Sequence, residues 1–548
     1  MLALLAVMGV AMFSSSVQEC VAWDEAAHLT NGYLYWRTGN FWYGQVNPAL
    51  ARLAVGLPLL ALDPRIPTEH ESYREYAQFP RFRSLFLYRN RVPPDTLLLW
   101  GRSSTMLLTL LLGAVIALWT RRHFGPGPAL GALALFALDP NFIAYGRYTT
   151  TDLYGVSFQF FAILAWAWFL TSKRAALPLL VTGLLAGLAM AAKHSSIFLF
   201  GLFPLLYCIR WWQAPRPRAL LRLAAALAAV GLLTALTVAA VYWPVSWKIL
   251  LRGTTPLAEA AAGDTPVDQT FRTLGQVLHL PAHPYLMGFY WLAKSNEAGI
   301  PTYLLGQTAL FGWWYFFPVA FAVKTPTGLL LGLAACFVVL VRLAPRSRLV
   351  EALRRLDFAW IAIAVPPAVY FGLCFLSDIN SGIRHLMLIY PFLFILLAAI
   401  LVGQAHRRLM AVVTLLVAIE SVLIYPHYLA FFNLPSGGPA SGAKYLVDSS
   451  LDWGQDLKKL RAYLDTLGVD DIYLAYHGMG DPAYYGIRWR FAPERLDAEQ
   501  QRELNAVVAV SATYLKGLYV GEDSYDWLGE HEPVARIGYS IYVYDLRH

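Results

Sequence analysis

The stretch LLLWGRSSTMLLTLLLGAVIALWTRR, residues 97–122, sets the class of the molecule. It is apolar over membrane-spanning length and closes on two arginines. A helix needs about 20 predominantly apolar residues to cross a hydrocarbon core of roughly 30 Å. Comparable runs lie at 1–16, 128–146, 153–171, 177–192, 195–212, 219–243, 326–343, 357–376, 383–403 and 409–429. Together they predict a polytopic α-helical membrane protein with about eleven spans. The first run has no basic leader and no small-residue cleavage site, so it reads as a spanning helix and not as a removed signal.

Composition agrees. Of 548 residues, 57% are hydrophobic and 14% charged, against about 25% charged in soluble domains. The mean hydropathy is +0.48. This excludes a disordered chain and argues against an ordinary soluble enzyme. The net charge of +8 would suggest a nucleic-acid partner in a soluble protein. Here the basic residues fall between apolar runs and set topology instead. Cys208, Cys336 and Cys374 lie in apolar runs, and with Cys20 they form no disulfide framework.

The loops sort by charge. Arg121 and Arg122, Lys173 and Arg174, the group Arg210, Arg216, Arg218 and Arg222, the group Arg342, Arg346, Arg348, Arg354 and Arg355, and finally Arg407 and Arg408 all fall on one side if the helices alternate. By the positive-inside rule that side is the cytoplasm. The opposite side then receives residues 19–96, residues 244–304 and the tail 431–548. Counting Leu305–Val323 as a full span would reverse the later loops, so it reads as an interfacial or partly inserted helix with Trp313, Trp314 and Tyr315 at the headgroups. The chain thus divides into a membrane domain, 1–430, and a small soluble α/β domain, 431–548. The latter has helical spacing at 452–467 and strand-like runs at 471–476, 505–511 and 537–545. The small-xxx-small pair Gly183 and Gly187 reads as helix packing.

The chemistry gathers at the outer ends of helices. Asp24 and Glu25 follow a span directly, where carboxylates facing lipid would be costly and carboxylates lining a cavity would not. Adjacent helical side chains diverge by about 100°, so Asp24 is the candidate base and Glu25 its supporting neighbour; a helix N-terminal pair complementing the dipole is the plainer alternative. Arg52 stands in a proline-started segment, Asn47 to Arg52, suited to an interfacial helix. It is a candidate for a lipid phosphate or for ordinary headgroup anchoring. Arg147 and Asp152 flank a tight turn and either close a salt bridge or divide the work, Arg147 neutralising a phosphate and Asp152, a candidate catalytic carboxylate, orienting a sugar or a base. Lys193, Lys324, Arg384 and His385 also map to the outer side. Cations there oppose the topology bias, and an anionic ligand at the interface would account for them. His279 and His283 lack a nearby third ligand, so no metal site is assigned. No phosphate-binding loop, nucleophile elbow or dinucleotide fingerprint is present.

This pattern resembles the GT-C glycosyltransferases of the protein O-mannosyltransferase type, glycosyltransferase family 39, a group that also resembles the bacterial aminoarabinose transferases of lipid A. The resemblance is carried by Trp23-Asp24-Glu25, Asn47-Pro48-Ala49-Leu50-Ala51-Arg52, Arg147 with Asp152, Phe317-Pro318 through Lys324-Thr325-Pro326, Ile383-Arg384-His385, and Tyr445 through Leu457. It implies a GT-C fold and an inverting transfer of a sugar from a polyprenyl-phosphate donor to a lipid, glycan or protein acceptor. Asp24 matches the family's first-loop acid and Glu25 the neighbouring Glu, while Asn47 replaces a family His. No β-trefoil-like insertion is visible, so a prokaryotic plasma-membrane enzyme acting on the outer face is expected. The resemblance implies no definite cofactor and is compatible with a divalent metal. A polyprenyl-lipid flippase or a lipid-binding protein is the alternative, which would have no need of a base at Asp24.

Overall fold

The computed structural model describes the chain except residues 74, 76–77, 216, 344–348 and 404–405. Arg216, Arg346 and Arg348 of the basic loops therefore lie outside the described residues.

The chain is mainly helical, with a small sheet towards the C-terminus. Pro94–Phe124, Asp152–Thr171, His194–Gln213 and Ala219–Val241 are long and apolar enough to cross a membrane. Six shorter apolar helices accompany them, among them Leu2–Ser16, Ala176–Ala192 and Ile389–Gly403. Among the described residues, length and composition thus give four spans, or five with one bent pair, and the expected eleven is reached only by counting shorter helices. Prolines and caps explain the shortening. The expected run at 128–146 divides at Asp139-Pro140 into Pro126–Leu138 and Pro140–Tyr145, with the Asp139 carboxylate accepting from the amides of Asn141 and Phe142 at 2.9 and 3.0 Å.

Residues 305–325 form no span. A short antiparallel hairpin, β1 (Thr302–Leu304) and β2 (Gln307–Ala309), precedes the helix Phe316–Lys324. That helix meets Thr327–Arg342 at 109°, across Thr325-Pro326.

Gly183 and Gly187 pack as their spacing predicts. A Cβ on either would come within 2.5 Å of the Leu233 and Thr237 side chains of the facing helix Ala219–Val241. Polarity is distributed end to end. Asp152 begins a 20-residue helix whose far end leads to Lys173 and Arg174. At 1.5 Å per residue these ends stand about 30 Å apart. At the basic end, Arg122, Arg210, Arg354 and Arg355 line one cleft.

The tail carries a five-stranded mixed sheet, ordered β4-β3-β5-β7-β6, from β3 (Asp471–Ala475), β4 (Arg488–Phe491), β5 (Val507–Ser511), β6 (Ala535–Ile537) and β7 (Ile541–Asp545). The helix Leu457–Leu467 packs on it through Leu457, Leu460 and Leu464. The expected strand at 537–545 is a hairpin of β6 and β7, and β4 went unpredicted because Arg488-Trp489-Arg490-Phe491 is a polar edge strand. The stretch between the last membrane helix and this sheet is embedded in the helical part. Asn433 donates to the carbonyls of Ala322 and Thr325 at 2.6 and 2.8 Å, and Leu305 donates to Tyr445 at 3.1 Å.

Candidate active site

The site is assembled where the helix Trp23–Thr38 begins. The segment leading into it, residues 20–23, is clamped by the tail: Cys20 N donates to the Gln455 carbonyl at 3.0 Å and Trp23 N to the Trp453 carbonyl at 2.9 Å. Glu25 and Asp24 then point apart, as helical geometry requires. Glu25 is fully buried. It accepts from Ala22 N at 2.9 Å, from Thr149 N at 3.0 Å and, at both oxygens, from Arg102 at 2.9 and 2.6 Å. Arg102 also donates to the Ser16 and Cys20 carbonyls, each at 2.9 Å. Glu25 therefore fastens the helix start, the long helix Pro94–Phe124 and the turn at 149 together.

Asp24 opens the other way. Its Oδ2 accepts from Arg384 at 2.7 Å, and the same guanidinium nitrogen lies 3.6 Å from Asp152 Oδ2. Asp152 Oδ1 in turn accepts from Lys193 at 2.6 Å. Four residues from four separate segments thus form one alternating chain: Asp24, Arg384, Asp152, Lys193. Arg384 sits in the turn Ile383–Leu386, donates through Nε to the Ser381 carbonyl at 3.0 Å and lies 4.7 Å over the Trp453 ring. Its neighbour His385 is half-buried.

The remaining cations divide. Arg147 does not reach Asp152; it forms a buried two-pronged pair with Glu19 at 2.7 and 2.9 Å, completed by the Tyr148 hydroxyl at 2.9 Å. Lys324 is fully buried and donates to the carbonyls of Leu429 and Ser450 at 2.9 and 2.7 Å, 4.5 Å over the Phe432 ring. Both are consumed by internal partners.

Arg52 is different. It is buried yet pairs with no carboxylate among the described residues; it donates to His28 Nδ1 at 3.1 Å, the Tyr35 hydroxyl at 2.9 Å and the Asn47 carbonyl at 3.2 Å. The helix carrying it, Ala49–Gly56, is brought onto Trp23–Thr38 by a backbone approach at Gly32 and Gly56, where a Cβ on Gly32 would lie 2.0 Å from the Arg52 carbonyl. Polar atoms without a protein partner surround Arg52. Both side-chain atoms of buried Asn31 and both ring nitrogens of buried His194 are unbonded, as is the Tyr285 hydroxyl. Gly44 and Gly288 leave the room, since a Cβ there would stand 2.6 Å from Asn31 Nδ2 and 2.5 Å from His194 Nε2. His28 links the two regions, feeling Arg52, Asp152 and Arg384; burial first, then these cations, lowers its pKa and keeps it neutral.

Sequence reasoning missed His28, Glu19, Arg102 and the tail's contribution. His28 was signalled by its i, i+4 spacing from Asp24 on one helix face. The partners Glu19 and Arg102 are long-range, and no local pattern marks them. His283 caps the helix Pro284–Ala298, accepting from Tyr285 N at 3.1 Å, and is bonded to Ser246 through Nε2. Among the described residues, no group of three or more His, Cys, Asp or Glu side chains converges as a metal site requires.

Residues 100–243 match the family described as dolichyl-phosphate-mannose-protein mannosyltransferase. No curated protein sequence matches the chain. Among solved structures, ArnT from Cupriavidus metallidurans bound to undecaprenyl phosphate is similar at 13% identity and a TM-score of 0.48, covering 100% of this chain and 98% of its own. The archaeal oligosaccharyltransferase AglB from Archaeoglobus fulgidus, in complex with an inhibitory peptide and a dolichol-phosphate, is similar at 12% identity and a TM-score of 0.44, covering 78% of this chain and 55% of its own. The family match spans the segment that supplies Arg102, Arg147, Asp152 and Lys193, and over that segment the chain is similar to the dolichyl-phosphate-mannose-protein mannosyltransferases.

Proposed function

We propose that the chain transfers a sugar from a polyprenyl-phosphate-linked donor to an acceptor hydroxyl or amine on the outer face of a prokaryotic plasma membrane, with inversion at the anomeric carbon. The observation that carries this reading is the chain Asp24–Arg384–Asp152–Lys193, in which one guanidinium serves two carboxylates. A donor phosphate entering the site competes for Arg384 and Lys193. As Arg384 turns to the phosphate, Asp24 is released and becomes free to take the acceptor's proton. The acceptor atom attacks the anomeric carbon, the bond from that carbon to the phosphate oxygen breaks, and the cations hold the leaving phosphate. Preorganised cations at a leaving group are commonly the largest catalytic contribution, and a positioned base adds about 10²–10⁴-fold.

Arg52, with its unpartnered polar surroundings, supports a second anion contact beside the Asp24 cluster. The division into a membrane domain, 1–430, and an outer α/β domain, 431–548, and the cytoplasmic placement of the basic loops belong to the same proposal. The two carboxylates within reach of one cation favour an enzyme over a flippase, which needs no proton acceptor.

The test is a transfer assay with the full chain in lipid vesicles. A panel of polyprenyl-phosphate sugars and the matching nucleotide sugars are offered with extracted envelope acceptors. Release of polyprenyl phosphate coupled to sugar transfer is expected, with nucleotide sugars inert. Donor that binds, or crosses the bilayer, without being consumed refutes the reading in favour of a flippase.

A further inference from the structure

The tail domain brings its own polar groups to the mouth of the site. His477, just beyond β3, stacks on Trp23, the residue before Asp24, with centroids 4.7 Å apart and planes 9° from parallel. On its other side lies the Tyr519 ring, 5.3 Å away at 14°. His477 Nε2 donates to Asp448 Oδ1 at 3.4 Å. Its Nδ1 has no protein partner, although the residue is only 3% exposed. In either protonation state that nitrogen is a hydrogen-bonding atom left without a bond, which is costly unless a ligand supplies one.

The backbone on both sides is held in the left-handed region, at φ +52° for Asp448 and +72° for Tyr519. For a bulky residue such as Tyr this is rare and strained, and such strain collects where a side chain must be aimed. The aromatic walls are not core: Trp23 is 41% and Tyr519 49% exposed. The Asp448 carboxylate acts on the same Arg384 guanidinium as Asp24 and Asp152, so it borders the site and does not merely decorate the tail.

We propose that Asp448, His477, Trp23 and Tyr519 form the acceptor subsite, and that the acceptor is a carbohydrate ring. This rests on the glycosyl-transfer reading and names the substrate on its acceptor side. The chemistry selects the class. The exposed parts of the Trp23 and Tyr519 rings suit the apolar C–H face of a sugar ring. A carboxylate and an unpartnered imidazole nitrogen suit vicinal hydroxyls, each able both to donate and to accept. An anionic acceptor would meet Asp24 and Asp448, with Arg384 already paired with Asp24 and 3.6 Å from Asp152. Asp448 and His477 are positioning residues: they hold the ring so that one hydroxyl faces Asp24.

The experiment uses the full chain in vesicles, with a polyprenyl-phosphate sugar the wild type consumes, and two acceptor probes: methyl glycosides and a serine-containing peptide. Steady-state transfer is measured for His477→Gln, Asp448→Asn and Tyr519→Ala. Tyr519 is half exposed, so its truncation keeps the test open even where the buried variants fold poorly. The expected result is transfer to methyl glycosides, with acceptor KM raised about tenfold or more in each folded variant and a much smaller fall in the rate at saturating acceptor. Wild-type acceptor KM in a well-folded Tyr519→Ala overturns the proposal. So does a wild type that glycosylates the peptide and ignores the glycosides. Failure of the underlying reading looks different: the wild type then releases no polyprenyl phosphate from any donor, even to water.

Discussion

Asp24→Asn separates the two parts Asp24 can play, because the structure couples the proposed base to the proposed phosphate clamp. The four side chains Asp24, Arg384, Asp152 and Lys193 carry two negative and two positive charges, so together they are neutral. The amide keeps the shape of Asp24 and an oxygen for Arg384, but the cluster becomes net positive by one. A unit charge about 6 Å from an incoming phosphate is worth up to about 3 kcal/mol at an effective dielectric of about 20. The Asp24 side chain is 33% exposed, so solvent screens much of this. Donor Kd should therefore stay level or tighten by up to about tenfold. Transfer should fall by about two orders of magnitude or more, since the base is gone. The assay pairs equilibrium binding of a labelled polyprenyl-phosphate sugar with single-turnover transfer on the same preparation. If donor affinity and transfer fall together, Asp24 is a counter-ion that holds Arg384 in place, and the mechanism must find its base in Asp152. Near wild-type transfer removes Asp24 from the chemistry altogether.

Other outcomes follow from the same geometry. Arg384→Ala leaves the cluster net negative and should weaken donor use about tenfold or more while leaving the fold largely intact, as the loss of a charge-assisted hydrogen bond predicts; unaltered donor KM would move the phosphate to Arg52. Arg147→Met strips the partner from buried Glu19, an unpaired buried charge costing about 3–5 kcal/mol. Its yield and melting temperature should drop while specific activity of surviving protein stays near normal, and a selective loss of donor affinity would restore Arg147 to the phosphate site. Burial raises the pKa of Asp452 from 3.8 to about 6. A raised acid keeps its proton in the fold where the unfolded chain has lost it, so its stability contribution is full below pH 3.8 and is lost as pH rises through about 6, by at most about 3 kcal/mol. Asp452→Asn should flatten the pH dependence of the melting temperature between pH 4 and 8, and an unchanged profile would refute the assignment. For topology, cysteines at exposed Thr68 and Gln500 should react with an impermeant thiol reagent in intact cells, and one at Lys173 should not; labelling at Lys173 would invert the orientation.

Much of this architecture was legible from local sequence. Apolar runs and arginine-bearing loops gave a helical membrane protein, and the alternation of helix and strand gave the tail. Span boundaries were less legible, because Pro140 starts a new helix within the run 128–146 that hydropathy reads as continuous. The divergence of Asp24 and Glu25 followed from helical geometry alone. Which cations were free did not. Lys324 and Arg147 looked equivalent to Arg384 in sequence, yet the first is bonded by carbonyls more than 100 residues away and the second by Glu19, 128 residues before it. The reach of the tail into the site was hidden for the same reason, since Trp23 meets His477 only through tertiary packing.

The most direct test of the account is the stereochemistry and stoichiometry of one turnover. The purified full chain, given a polyprenyl-phosphate sugar of known anomeric configuration, is analysed by NMR for the product linkage and by lipid extraction for the released carrier. The account predicts one polyprenyl phosphate per sugar transferred and an inverted anomeric centre. A retained configuration, or sugar transfer without release of the lipid phosphate, would contradict it.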